Sequence, residues 1–168
     1  MTLATILLGF ITLQRLGELV LARRNTRRLL AAGAFEIGAI HYPFLVAMHA
    51  AWLVAVWVLG YIAPVNLTGL GVFVVLQALR VWIISTLGQR WTTRVIVLPD
   101  APLITAGPYR YVSHPNYVVV TCEIAVLPLT LGLPLVTFTF SCLNALILAV
   151  RIRDENRALA AERQTILV

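Results

Sequence analysis

YVVVTCEIAVLPLTLGLPLVTFTFSCLNALILAVR runs from Tyr117 to Arg151, with Glu123 as its single acid and no base before the final arginine. Gly132 and Pro134 divide it into two apolar runs, Tyr117–Leu131 and Leu135–Val150, which predicts a tight helical hairpin. A helix needs roughly 20 apolar residues to cross a hydrocarbon core about 30 Å thick. Lipid-exposed strands or loops would leave backbone polar groups unsatisfied at that depth, so helices are the expected elements. Working outward, Thr2–Leu21, His41–Ile62 and Leu67–Leu87 are further candidate spans. The expectation is an all-α, polytopic integral membrane protein with about five spans, forming a single domain over residues 1–168. There is no internal repeat and no linker long enough to separate two domains.

Composition agrees. Hydrophobic residues make up 60% of the chain and charged residues only 12%, about half the usual soluble fraction. A soluble domain of this size has too little interior to hide that much apolar surface. Thr2–Leu13 lacks the basic start and small-residue cleavage site of a signal peptide and is read as a retained first helix. Cys122 and Cys142 lie in apolar stretches at no metal-like or redox-like spacing.

All thirteen basic residues are arginines, and eleven fall on one side of the predicted membrane. Arg23, Arg24, Arg27 and Arg28 follow the first span, Arg90, Arg94 and Arg110 lie between the third and fourth, and Arg151, Arg153, Arg157 and Arg163 follow the fifth. The Gly60–Asn66 and Leu131–Pro134 turns carry no charge. By the positive-inside rule, the two long loops and the C-terminus are cytosolic and the N-terminus is outside. The basic excess thus reads as topology and contact with anionic lipid headgroups, with no nucleic-acid partner.

Ionisable groups at membrane depth are costly, so each is a candidate for function. Arg15 and Glu18 adjoin on one helical face, either as an ion pair that pins helix packing or as a pocket wall. Arg80 lies about two turns from the end of the third span, with Gln77 on the same face, and Glu123 is nearly two turns into the fourth. Arg80 could snorkel to the interface or point inward toward an anion. His41 opens the second span and His49 lies two turns deeper. Three histidines without a carboxylate or cysteine at ligand spacing make a poor metal site. Tyr42, Trp91, Tyr109 and Tyr111 suit an interfacial aromatic belt.

The long loop before the fourth span is denser than a connector needs to be. Val97-Leu98-Pro99-Asp100-Ala101-Pro102 leads to Gly107-Pro108-Tyr109-Arg110-Tyr111 and then to His114-Pro115-Asn116-Tyr117. It ends at a helix N-terminus, where free N–H groups favour an anion. Asp154, Glu155 and Asn156 return to the same side after the last span.

These motifs resemble the GPYRY-x-RHP-x-Y signature of the isoprenylcysteine carboxyl methyltransferase family, and Glu155-Asn156-Arg157-Ala158-Leu159 resembles its EERxL element. Gln14–Leu19, Gly38–Tyr42, Gln77–Trp82, Leu87–Thr93 and Leu143–Ala145 extend the likeness over nearly the whole chain. They look like a small bacterial subfamily that O-methylates alkylpyrones or phenolic lipids. The resemblance implies a methyltransferase of the bacterial plasma membrane using S-adenosylmethionine, bound at the cytosolic end, and a lipophilic small-molecule acceptor, methylated on a pyrone or phenol hydroxyl or on an isoprenylcysteine-like carboxyl. By motif position it makes Gly107, Tyr109, His114, Asn116, Tyr117 and Glu155 cofactor candidates, with the backbone of Val97 and Leu98. Ser113 stands where the family usually has arginine, so Arg110 is a candidate to supply that contact. Asn156 replaces the second acid of the EE pair. The chain runs nine residues past Leu159 without an aromatic tail, which turns the expectation away from a prenylated protein.

Methyl transfer to an ionised oxygen needs alignment and water exclusion more than a strong base. Arg80 or Arg15 would hold the acceptor anion, with Glu18 or Glu123 orienting that arginine; a less acidic phenol would call on Glu123 or His41 as base. Arg80→Lys is then expected to impair turnover with stability near the parent. A small transporter or channel and a nicotinamide-dependent membrane reductase are the alternatives, the first disfavoured by the lack of a repeat. Gly69-Leu70-Gly71 is no dinucleotide fingerprint, lacking both strand and third glycine, and is expected to serve helix packing. The topology predicts that a cysteine at Ser113 reacts with impermeant thiol reagents only in inside-out vesicles, and that S-adenosylhomocysteine protects it. Labelling from the outer side would overturn the orientation.

Overall fold

The structure, a computed structural model, describes residues 1–99 and 101–166, with side chains described as far as Arg153. Helix α1 (Leu3–Ala31) is followed by a short strand β1 (Phe35–Ile37), then α2 (Tyr42–Gly60) and α3 (Leu67–Leu87). A 3₁₀ turn (Gly88–Arg90), strand β2 (Val95–Val97) and a second 3₁₀ turn (Gly107–Arg110) lead to α4 (Pro115–Thr130) and α5 (Pro134–Ile166).

The protein is a polytopic, almost entirely helical membrane protein. Four of its helices are long and apolar enough to cross a membrane, while α4, at 16 residues, is shorter. Leu8, Ile11, Trp52, Val56, Phe73, Ile124 and Leu127 form the buried core. Leu13, Val58, Val74 and Phe138 face outward and are exposed, an arrangement that lipid favours and water does not.

The hairpin forms as the turn chemistry predicts. The Gly132 N–H bonds the Leu129 carbonyl at 3.0 Å, the residue takes φ +70°, and Pro134 opens α5. A left-handed φ suits glycine, and proline fits a helix start because its missing N–H would have no partner there. Two helices outrun their predicted spans. α1 continues through Arg23–Arg28, because Arg, Leu and Ala favour helix whether or not lipid surrounds them. α5 likewise runs past Val150.

The strands are not foreseen by the all-helical reading. They pair antiparallel, with Phe35 opposite Val97, Glu36 opposite Ile96 and Ile37 opposite Val95. The run Val95-Ile96-Val97 is β-favouring, and the Arg94 guanidinium donates to Glu36 at 2.7 and 2.8 Å. This ribbon ties the α1–α2 loop to the α3–α4 loop.

The arginine-rich segments gather at one end of the bundle. Asn25 on α1 donates to the carbonyls of Gly88 (3.1 Å) and Trp91 (2.8 Å), and Arg151 on α5 donates to that of Thr93 (2.8 Å). At the opposite end, the Thr2 and Thr5 hydroxyls donate to the Tyr61 carbonyl and the Asn66 N–H bonds that of Thr130.

Of the paired glycines in α3, only Gly69 is a packing glycine. A Cβ there would lie 2.5 Å from Thr130 Oγ1, whereas one at Gly71 meets nothing within 4 Å. Gly69→Ala should therefore cost about 1–3 kcal/mol, read as a lower midpoint of thermal unfolding in detergent. Gly71→Ala should be neutral or slightly stabilising.

Candidate active site

Three spans contribute charged side chains to one buried cluster. The Arg80 guanidinium from α3 makes a fork on Glu18 of α1, Nε to Oε1 at 2.5 Å and Nη2 to Oε2 at 2.7 Å. Its Nη1 donates to Glu123 Oε2 of α4 at 2.8 Å. Arg15 bridges the same acids, at 2.9 Å to Glu18 and 2.7 Å to Glu123. Gln77 donates to Glu123 Oε1 at 2.8 Å, and Gln14 donates to Gln77 at 2.7 Å and Glu18 at 3.1 Å. Two arginines balance two carboxylates, which is how charge is tolerated at this depth. Arg15, Glu18, Arg80 and Glu123, scattered through the sequence, are thus one assembly. Arg80 is 5% exposed and does not snorkel; it points inward to the two acids. The Arg15 side chain is 20% exposed.

The cluster borders a cavity of about 320 Å³ between the helices, otherwise lined chiefly by apolar side chains such as Leu16, Val46, Leu53, Val120 and Leu148. A second cavity of about 300 Å³ lies at the arginine-rich end. Val97, Leu98, Tyr109, His114, Asn116 and Tyr117, six of the residues the loop motif singles out, line it. The His114 and Tyr117 rings stack with centroids 5.2 Å apart. Trp91, Thr92, Asn116, Tyr117 and Arg151 line both cavities and form their common wall.

Gly107, Arg110 and His41 fall elsewhere. Gly107 takes φ +56° and sits against α3, where a Cβ would lie 2.6 Å from Thr86 Oγ1. It seats the loop and lines neither cavity. The exposed Arg110 also lies off both. His41 caps α2 at the surface, beside a small cleft with Glu36 and Arg94, and is not among the residues lining the cavity beside the charged cluster. The Glu155 side chain lies outside the described residues.

Arg151 and Trp91 are site residues that the sequence reading missed. Arg151 Nε donates to the Tyr117 hydroxyl at 3.0 Å, and its guanidinium lies 5.5 Å from that ring's centroid. In sequence Arg151 is one more basic residue closing a span, and Trp91 one more belt aromatic. Only the position of both beside the loop motif in space gives them away. Among the described residues, no three His, Cys, Asp or Glu side chains gather to hold a metal ion.

Residues 68–161 match the isoprenylcysteine carboxyl methyltransferase (ICMT) family. The chain belongs to this family, and it is a membrane methyltransferase. It is 36% identical over 164 residues to the uncharacterized protein YpbQ of Bacillus subtilis, covering 92% of this chain and 95% of that one. A Haemophilus influenzae protein, also uncharacterized, is 26% identical over 158 residues, covering 87% and 88%. No solved structure matches the chain.

The geometry corrects the expectation that Arg80→Lys leaves stability near the parent. Lysine has no planar fork to serve Glu18 and Glu123 together, and a lost charge-assisted bond costs about 1.5–3 kcal/mol. Arg80→Lys should lower both the unfolding midpoint and kcat/KM, the latter at least about tenfold. Arg15→Lys, at the more exposed arginine, should lower kcat/KM with a smaller change in midpoint.

Proposed function

We propose that this protein transfers the methyl group of S-adenosylmethionine to an oxygen of a lipophilic acceptor, the hydroxyl of an alkylpyrone or phenolic lipid or the carboxylate of an isoprenylcysteine-like group. The observation that carries this reading is the pair of cavities sharing one wall. One is framed by the loop motif and the other by apolar helix faces, so a polar donor and a lipid can meet without either crossing the other's solvent.

The loop-side cavity fits the cofactor in size and chemistry. Its volume falls at the lower end of the range usual for small-molecule sites. Tyr109 lines this cavity, and an aromatic ring suits a sulfonium or ammonium cation. Asn116 lines this cavity as well, which places an amide on its wall. The Val97 and Leu98 segment and His114 would hold the remaining polar groups. When bound, S-adenosylmethionine supplies an electrophilic methyl carbon on a positively charged sulfur.

The chain's own residues then align and exclude water. Arg15 spends one N–H on Glu18 and one on Glu123, and a guanidinium carries five. Those left over, at the cavity border, can hold the acceptor oxygen. Arg80, Glu18 and Glu123 fix Arg15 in place. By the positive-inside rule, the arginine-rich end and the loop-side cavity face the cytosol, with the N-terminus outside.

Calorimetry on detergent-solubilised protein against S-adenosylmethionine, S-adenosylhomocysteine and NADPH tests the reading. The first two should bind and NADPH should not. His114→Ala should weaken S-adenosylhomocysteine about ten- to a hundredfold, whereas Arg110→Ala should leave it unchanged. Binding of NADPH alone would overturn the assignment.

A further inference from the structure

His49 sits on α2 about two turns from its start and lines the cavity beside the charged cluster. Its Nδ1 lies 2.8 Å from the carbonyl oxygen of Leu45. A carbonyl only accepts, so Nδ1 carries the proton, and the neutral ring presents Nε2 as a lone-pair acceptor. No hydrogen bond to Nε2 occurs among the described residues, and that nitrogen is not sealed from the space around it. The bond to Leu45 fixes the ring, which favours one direction for the lone pair.

The other polar groups around this cavity are differently placed. Arg15, Arg80 and Arg151 can only donate. Glu18 and Glu123 are engaged by the arginines and glutamines of the cluster. The Tyr42 hydroxyl pairs with Thr93 at 3.0 Å, and Thr12 Oγ1 accepts from Trp57 at 2.9 Å. Asn116 Oδ1 and Asn144 Oδ1 lack partners but are sealed from solvent-sized space. The Thr92 hydroxyl is committed to the Arg94 carbonyl at 2.6 Å. Donors are plentiful on this wall, and among the described residues His49 Nε2 is the accessible side-chain acceptor that makes no hydrogen bond. An imidazole in an apolar chamber costs desolvation unless something bonds it.

We propose that His49 is a specificity-determining residue, its Nε2 accepting a hydrogen bond from a hydroxyl on the lipid acceptor's head other than the oxygen that is methylated. This rests on the methyltransferase reading above and narrows it to acceptors that carry a second hydroxyl. Arg15 then holds the reacting oxygen while His49 reads its neighbour, so the head is fixed at two points. A site built to bond a hydroxyl discriminates strongly against an analogue lacking it, because its own polar group is left unpaired.

The test is a cycle between acceptor and enzyme. An alkylresorcinol and the matching alkylphenol, which lacks one hydroxyl, are compared as methyl acceptors for the parent, His49→Leu and His49→Gln. The parent should favour the resorcinol by at least about tenfold in kcat/KM. His49→Leu should reduce that preference to within about twofold, and His49→Gln, which keeps an acceptor oxygen, should restore part of it. S-adenosylhomocysteine affinity should be unchanged throughout, since His49 does not line the loop-side cavity. Should the leucine variant lose that binding through misfolding, His49→Phe takes its place. An undiminished preference in the apolar variant would overturn the proposal. So would a parent that binds S-adenosylhomocysteine yet methylates neither acceptor or both equally, and the methyltransferase reading would survive either result. A parent that binds no S-adenosylhomocysteine would instead remove the methyltransferase reading itself.

Discussion

The fork of Arg80 on Glu18, with its third bond to Glu123, is the contact on which the rest of the site depends. It joins α1, α3 and α4 at membrane depth, where the alternative for each charge is a heavy desolvation cost. A well-packed apolar trio could hold the same helices with no such cost, so stability alone is a weak explanation for the cluster. What the cluster adds is direction. Each guanidinium and carboxylate fixes its neighbour's orientation, and the surplus N–H groups of Arg15 are left at the cavity border.

At the arginine-rich end the same residue type does different work. Arg94 lies 4.2 Å from the centroid of the Tyr42 ring while bound to Glu36, so it joins the two-stranded ribbon to the start of α2. Arg151 joins α5 to Tyr117 and to the Thr93 carbonyl. Both arginines stack on aromatic faces as well as donate, a combination that lysine would serve poorly. Charge that reads in sequence as membrane topology therefore also builds the walls between the cavities.

The apolar runs made the helices legible, and Gly132 with Pro134 made the hairpin so, because these depend on local chemistry. The loop motif likewise brought out six residues that do share a cavity. Which histidine of α2 faces the cavity beside the charged cluster was not legible. His41 and His49 differ by about two turns along one helix, and only the packing of α2 against its neighbours decides between them. Gly107 is a cofactor candidate by motif position, and its close approach proves to be to Thr86. The ribbon escaped notice because strands of three residues leave almost no periodic signal, and its pairing joins segments some sixty residues apart. The charged cluster was visible as four costly residues, but their mutual pairing requires three helices to be in register.

The brevity of α4 bears on how a lipid is presented. Sixteen residues rise about 24 Å, some 6 Å less than a typical hydrocarbon core. A short element among longer ones is accommodated by local thinning of the bilayer or by polar groups drawn inward, at a fraction of a kcal/mol per ångström. His114 and Asn116 stand at the arginine-rich end of this helix. Thinning at that end would bring the wall shared by the cavities, which Asn116 lines, below the level of the surrounding headgroups. For the amphiphilic acceptor proposed above, the head could reach the site while the tail stays in the leaflet.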